Sequence, residues 1–143
     1  MTMRGGMMLA AAGMLLALPA AADTVKLTAQ LNAANESPPT KSDGTGMATA
    51  TLDTASRKLD FELTFWGLTG PATAAHFHGP AEAGKNAGVA VPIAKGGDPM
   101  PFKGSATLTP EQMADVMAGK WYVNVHTAEN KGGEIRGQVL KAK

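Results

Sequence analysis

From Thr24 onward the chain is written in short runs of alternating apolar and polar residues. Val25, Leu27, Ala29 and Leu31 alternate with Lys26, Thr28 and Gln30, a period of two that predicts a strand with one buried face. In the clearest run Leu59, Phe61, Leu63 and Phe65 face one way and Asp60, Glu62 and Thr64 the other, the pattern of a half-buried antiparallel strand. Residues 47–52, 72–78, 102–108, 121–126 and 134–140 read as further strands. Residues 89–93 form a shorter one whose Pro92, lacking an amide donor, predicts a sheet edge.

Between these runs stand turn formers. Asn35-Glu36-Ser37-Pro38-Pro39 breaks the first pattern, Gly67-Leu68-Thr69-Gly70-Pro71 precedes residues 72–78, and residues 81–88 are small and polar enough to predict a mobile loop. One helix is expected. Thr109 supplies an N-cap, Pro110 the first helical position and Gln112 the capping-box partner, and Gly119 ends it. Met113, Val116 and Met117 recur at helical spacing as a stripe facing the core. About eight short strands, one short helix and no βαβ alternation predict an all-β single domain, an antiparallel Greek-key β-sandwich or flattened barrel.

The amino terminus departs from this pattern. Arg4 followed by the apolar residues 7–18 and by Ala20-Ala21-Ala22 reads as a secretory signal peptide over residues 1–22, leaving residues 23–143 as the domain. The apolar run is shorter than the ~20 residues of a membrane-spanning helix. An exported protein, periplasmic or secreted, is expected, with no membrane association after cleavage. Without Arg4 the chain carries equal numbers of basic and acidic residues, which argues against nucleic acid or an anionic membrane surface as a partner. The absence of cysteine removes disulfides, thiolate ligands, a Cys nucleophile and a lipid-anchored signal from consideration.

The candidate chemistry is carried by three histidines. His76 and His78 sit two apart in a predicted strand and so share a face, while Phe77 and Ala75 take the other. In residues 121–126 Trp121, Val123 and Val125 form the apolar face, which puts Tyr122, Asn124 and His126 opposite. His-x-His with a third His on an adjacent strand supplies three imidazole ligands and leaves a coordination position open. The competing role is hydrogen bonding that ties loops together through Asn124, Thr127 or backbone carbonyls.

Other constellations are poor. There is no Gly-x-Ser-x-Gly and no phosphate-binding loop, and Asp60 and Glu62 share a strand face where solvated surface charge is expected. Glu36, Glu134 and Arg136, flanked by Gly and Pro, are expected to form a buried structural ion pair or to support a metal site.

Taken together the motifs resemble the CHRD domain, the module named after chordin and also found as single-domain exported bacterial proteins. The resemblance runs through Leu31, Asn35-Glu36-Ser37-Pro38-Pro39, Gly67-Leu68-Thr69-Gly70-Pro71, Ala75-His76-Phe77-His78-Gly79-Pro80-Ala81 and Thr109-Pro110-Glu111-Gln112 with Gly119. It continues through Trp121-Tyr122-Val123-Asn124-Val125-His126-Thr127 and Gly132-Gly133-Glu134-Ile135-Arg136-Gly137-Gln138. Ser37 and Phe77 stand where the family usually has aliphatic residues.

The resemblance implies no settled activity for single-domain members, and chordin's role in growth-factor antagonism does not transfer to a chain of this kind. The His-x-His strand also looks like part of the copper site of copper/zinc superoxide dismutases. With no fourth histidine, however, their imidazolate-bridged metal pair cannot be built.

Two expectations follow. The first is an exported, non-catalytic protein that binds a transition-metal ion, copper in preference to zinc, through His76, His78 and His126. The second is a structural or adhesion module for a protein or polysaccharide partner, with the histidines as internal hydrogen-bonding groups.

Overall fold

The computed structural model describes residues 16–18 and 21–143, so the expected signal peptide over residues 1–22 lies largely outside the described residues. Among the described residues nine strands and one α-helix follow in chain order: β1 (Thr24–Asn32), β2 (Thr45–Asp53), β3 (Lys58–Trp66), β4 (Ala72–His78), β5 (Val89–Lys95), β6 (Phe102–Thr107), α1 (Pro110–Met117), β7 (Tyr122–Thr127), β8 (Ile135–Gln138) and β9 (Leu140–Lys141). The strands build one antiparallel sheet in the order β5-β4-β7-β8-β1-β2-β3-β6, with β9 added beside β1. The edges β5 and β6 approach one another, so the expected sandwich or flattened barrel takes the form of a nearly closed barrel. Pro92 lies on edge strand β5, as its missing donor requires.

The register explains why these residues make these strands. Leu27 pairs with Ala50 and Ala29 with Ala48, Ala50 with Phe61 and Ala48 with Leu63, Phe77 with Val123 and Ala75 with Val125. Each apolar residue thus meets another across the ladder, and a slip of one position would turn the whole set outward. Inside the barrel Phe61 meets Phe77 edge-on with centroids 5.2 Å apart, and Trp121 stands 5.8 Å from Phe77. The helix has its capping box of Thr109 and Gln112. It buries Val116 and leans Met113 and Met117 on the core, so the methionine stripe is packing.

Two local features depart from the sequence pattern. A 3₁₀ turn, Ala33–Asn35, follows β1, capped by the Asn32 side chain accepting from the Asn35 amide at 2.9 Å. The last run, expected as a single strand, divides into β8 and β9. Buried Val139 stands between them and donates its amide to the Trp121 carbonyl at 2.9 Å, and beyond it the chain leaves β7 and stays beside β1.

Candidate metal centre

The outer faces of β4, β7 and β8 differ from the rest of the barrel exterior. Across β4 and β7, Ala74 pairs with His126, His76 with Asn124 and His78 with Tyr122, and Asn124 pairs in turn with Arg136 of β8. Strand alternation sends all of these away from Phe77, Val123 and Val125. They are nonetheless covered: Tyr122 and Asn124 are each 3 % exposed and His78 is 8 % exposed. The sheet here has an apolar layer inside and a polar layer outside, beneath the loops around residues 33–42, 79–88 and 128–134.

The three histidines meet in this layer. His76, His78 and His126 each offer a ring nitrogen, and those atoms lie within 4.8 Å of one another. His76 Nδ1 stands 3.2 Å from His126 Nε2. The His126 Nδ1 donates to the Lys131 carbonyl at 2.8 Å, and the His78 Nδ1 donates to the Ala87 carbonyl at 3.0 Å. Carbonyl oxygen only accepts, so each of these rings, when neutral, carries its proton on Nδ1 and presents a lone pair at Nε2. Backbone carbonyls that select a tautomer in this way are the usual supports of metal-binding imidazoles. His78 Nε2 stands 2.9 Å from Asn124 Oδ1, and the Asn124 amide nitrogen donates to the Gly132 carbonyl at 3.4 Å.

The surrounding polar groups hold the loops that cover the site. His78 stacks flat on Tyr122, with centroids 4.8 Å apart and planes 2° from parallel, and the Arg136 guanidinium lies 3.5 Å over the same Tyr122 ring. Arg136 donates to Asn86 Oδ1 at 3.0 Å and to the Lys85 carbonyl. The Tyr122 hydroxyl contacts both the amide and the carbonyl of Ala87, and Gln138 donates to the Ala81 carbonyl at 2.9 Å. Loop 81–88, expected to be mobile, is thus fastened along its length. Its small side chains signal freedom, but its backbone carbonyls have charged and amide donors beneath them. Gly79 leads into it, because any Cβ there would strike the Trp121 ring.

Glu36, Glu134 and Arg136 are all buried, but the expected ion pair among them is not formed. The salt bridges among the described residues are Lys58–Asp60 at 3.1 Å, Lys103–Glu62 at 3.2 Å and Lys120–Glu82 at 4.0 Å. The loops supply the partners instead. Glu134 accepts from the Thr69 amide at 3.0 Å and from Asn130 at 3.3 Å. Burial works against its charge, yet hydrogen bonds from Thr69, Ser42 and Thr127 hold its carboxyl below the usual range. Burial raises the Glu36 carboxyl, against the opposing pull of the Arg136 charge and the Asn124 amide. Glu36 and Asn124 crowd Gly133, whose φ of 126° and lack of Cβ are both required there.

The same environment favours neutral imidazoles. Burial lowers the affinity of His76 for a proton, and the neighbouring His126 and His78 add to the effect. Burial also lowers that of His78, outweighing the hydrogen bonds to Ala87 and Asn124. A neutral ring is the form that binds a metal.

Chemically, the site is three imidazoles, two of them with selected tautomers, close enough to hold one metal ion, partly open at His76 and His126. Cavities of about 580 and 370 Å³ border the covering loops through Glu36, Lys131, Gly132 and Arg136, and one of about 620 Å³ lies against β1, β2 and β3. Strand parity puts the three histidines on the outer faces of their strands, and the pairing of β4 with β7 brings them together. Parity does not show that Tyr122, Arg136 and loop 81–88 close over His78, although Tyr122 and Asn124 share the parity of His126. The family model of the CHRD domain matches residues 27–139, whereas no curated protein and no solved structure matches the chain. With the matched region spanning the barrel from β1 to the junction after β8 and including every residue of the histidine cluster, the chain belongs to the CHRD domain family.

Proposed function

We propose that this protein is an exported, non-catalytic metal-binding domain that holds a transition-metal ion, copper in preference to zinc, through His76, His78 and His126. The observation that carries this reading is the convergence of the three ring nitrogens within 4.8 Å, with two of the rings held by backbone carbonyls at 2.8 and 3.0 Å. Neutral nitrogen donors rank Cu(II) above the other divalent first-row ions, and no thiolate is present to favour Cu(I). Export is supported by the Arg4, apolar and Ala20-Ala21-Ala22 pattern. The non-catalytic reading is supported by a sequence that carries neither a Gly-x-Ser-x-Gly motif nor a phosphate-binding loop.

Isothermal titration with Cu(II) and Zn(II) tests the reading. The wild type is expected to take one equivalent, and His76→Ala and His126→Ala to lose more than the ~100-fold that removal of an outer partner causes. Weak, indistinguishable binding by all three proteins contradicts it.

A second reading makes the domain a metal-free interaction module. It is favoured by the fact that each histidine already has a hydrogen-bond partner within the chain. Thermal melting separates the two. A metal that binds only the folded state raises stability by RT ln(1 + [L]/Kd) and chelation removes the gain, whereas a module without metal melts identically with Cu(II) and with EDTA.

A further inference from the structure

The three histidines surround a fourth side chain. Asn124 lies directly opposite His76 in the β4–β7 ladder, two residues before His126 on the same face, and diagonal to His78. It is 3 % exposed. Its orientation is set from behind: the amide nitrogen faces the Gly132 carbonyl at 3.4 Å and the carboxylate of Glu36, both of them acceptors. Oδ1 is therefore turned toward the histidines, 2.9 Å from His78 Nε2.

That contact is unusual for a neutral ring. His78 Nδ1 already donates to the Ala87 carbonyl, so Nε2 offers a lone pair to the lone pairs of an amide oxygen. Two acceptors at this distance repel unless a positive charge lies between or beside them.

A metal ion between the rings supplies it, and the two shortest contacts have the spacing of ligands that share one ion. Donors held about 2.0–2.1 Å from one metal stand about 2.9 Å apart at a right angle and about 3.3 Å apart in a tetrahedron. The His78 Nε2 to Asn124 Oδ1 distance is 2.9 Å and the His76 Nδ1 to His126 Nε2 distance is 3.2 Å.

We infer that Asn124 Oδ1 is the fourth ligand of the metal site, giving three imidazole nitrogens and one amide oxygen. The inference rests on the metal-binding reading above. An oxygen donor in place of sulfur directs the site to Cu(II) or Zn(II) and away from Cu(I). It also ties the ion to the turn at Gly132 and Gly133 through the other end of the same amide.

The test is Cu(II) titration and electron paramagnetic resonance of wild type, His76→Ala, Asn124→Ala and the near-isosteric Asn124→Asp, each checked for folding by circular dichroism. Asn124→Ala is expected to weaken Cu(II) binding more than about tenfold and to shift the copper hyperfine splitting. Asn124→Asp is expected to restore binding with a third, distinct spectrum, because its oxygen enters the same position carrying charge. If Asn124→Ala does not fold, the Asp variant alone decides. Superimposable spectra from the folded Asn124 variants and wild type, with or without a change in affinity, overturn the fourth ligand while the loss of binding in His76→Ala leaves the three-histidine site standing. A wild type that binds no Cu(II) overturns both.

Discussion

The barrel has two kinds of wall. In β2 and β3 the inner residues Ala48, Ala50, Leu52, Leu59, Phe61 and Leu63 are buried and their outer neighbours Thr49, Thr51, Asp60 and Glu62 meet solvent or are half-covered. In β7 and β8 the inner Val123, Val125 and Ile135 are buried, and so are the outer Tyr122, Asn124 and Arg136. Both walls obtain their apolar packing in the same way. They differ in what covers the second face: solvent on one side, loops fastened by an arginine, a glutamine and a tyrosine on the other. A buried polar layer is costly unless every group is satisfied, and in this fold that layer lies where three imidazoles converge.

The comparison is open to perturbation. Arg136→Met should have the largest effect on stability. It frees the Lys85 carbonyl, Asn86 and the Tyr122 face at once, at a cost of about 1–3 kcal/mol in denaturant unfolding. Amide exchange in loop 81–88 should rise with it. An unchanged loop would mean that the loop is held by its own turns.

A second effect is pH dependence of the metal-free protein. Folding lowers the proton affinity of His76 and His78, so below about pH 6.5 the unfolded chain takes up protons that the folded chain does not. Stability from these groups is full above that pH and is lost as pH falls toward the depressed values. Glu36, raised by burial, acts in the opposite sense, its contribution declining as pH rises above its unfolded value of about 4.3. Glu134, lowered by its hydrogen bonds, contributes above that value and loses its share on further acidification. Unfolding between pH 5 and 8 in a Glu36→Gln background isolates the histidines, and a flat profile there would contradict their burial as neutral rings.

The smallest effect belongs to the bare wall. Glu62→Ala removes the exposed contact with Lys103 and should change stability by less than about 0.5 kcal/mol. A larger loss would show that this wall, too, is covered.

The same contrast explains what was readable in the chain. The alternation of Leu59, Phe61, Leu63 and Phe65 with charged and polar residues reports the bare wall directly, because one face meets water. Parity alone also puts His76, His78 and His126 on outer faces, since it depends only on strand geometry, whereas the β4–β7 pairing that joins them is a property of the fold. The depth of Tyr122, Asn124 and Arg136 was not readable, because it depends on loops distant in sequence folding over them. Loop 81–88 was misread for the same reason: its composition describes its side chains, and its order comes from donors on β7 and β8. Glu36, Glu134 and Arg136 were recognisable as buried charges, but the partners of Glu134 and Arg136, Thr69 and Asn130 for one and Lys85 and Asn86 for the other, come from loops whose positions only the fold determines.

The most direct measurement is anomalous diffraction at the copper edge from crystals of the domain grown with Cu(II). The account predicts one peak bounded by His76, His78 and His126. A crystal saturated with Cu(II) that shows no peak at these histidines, or shows its strongest peak elsewhere on the barrel, would contradict it.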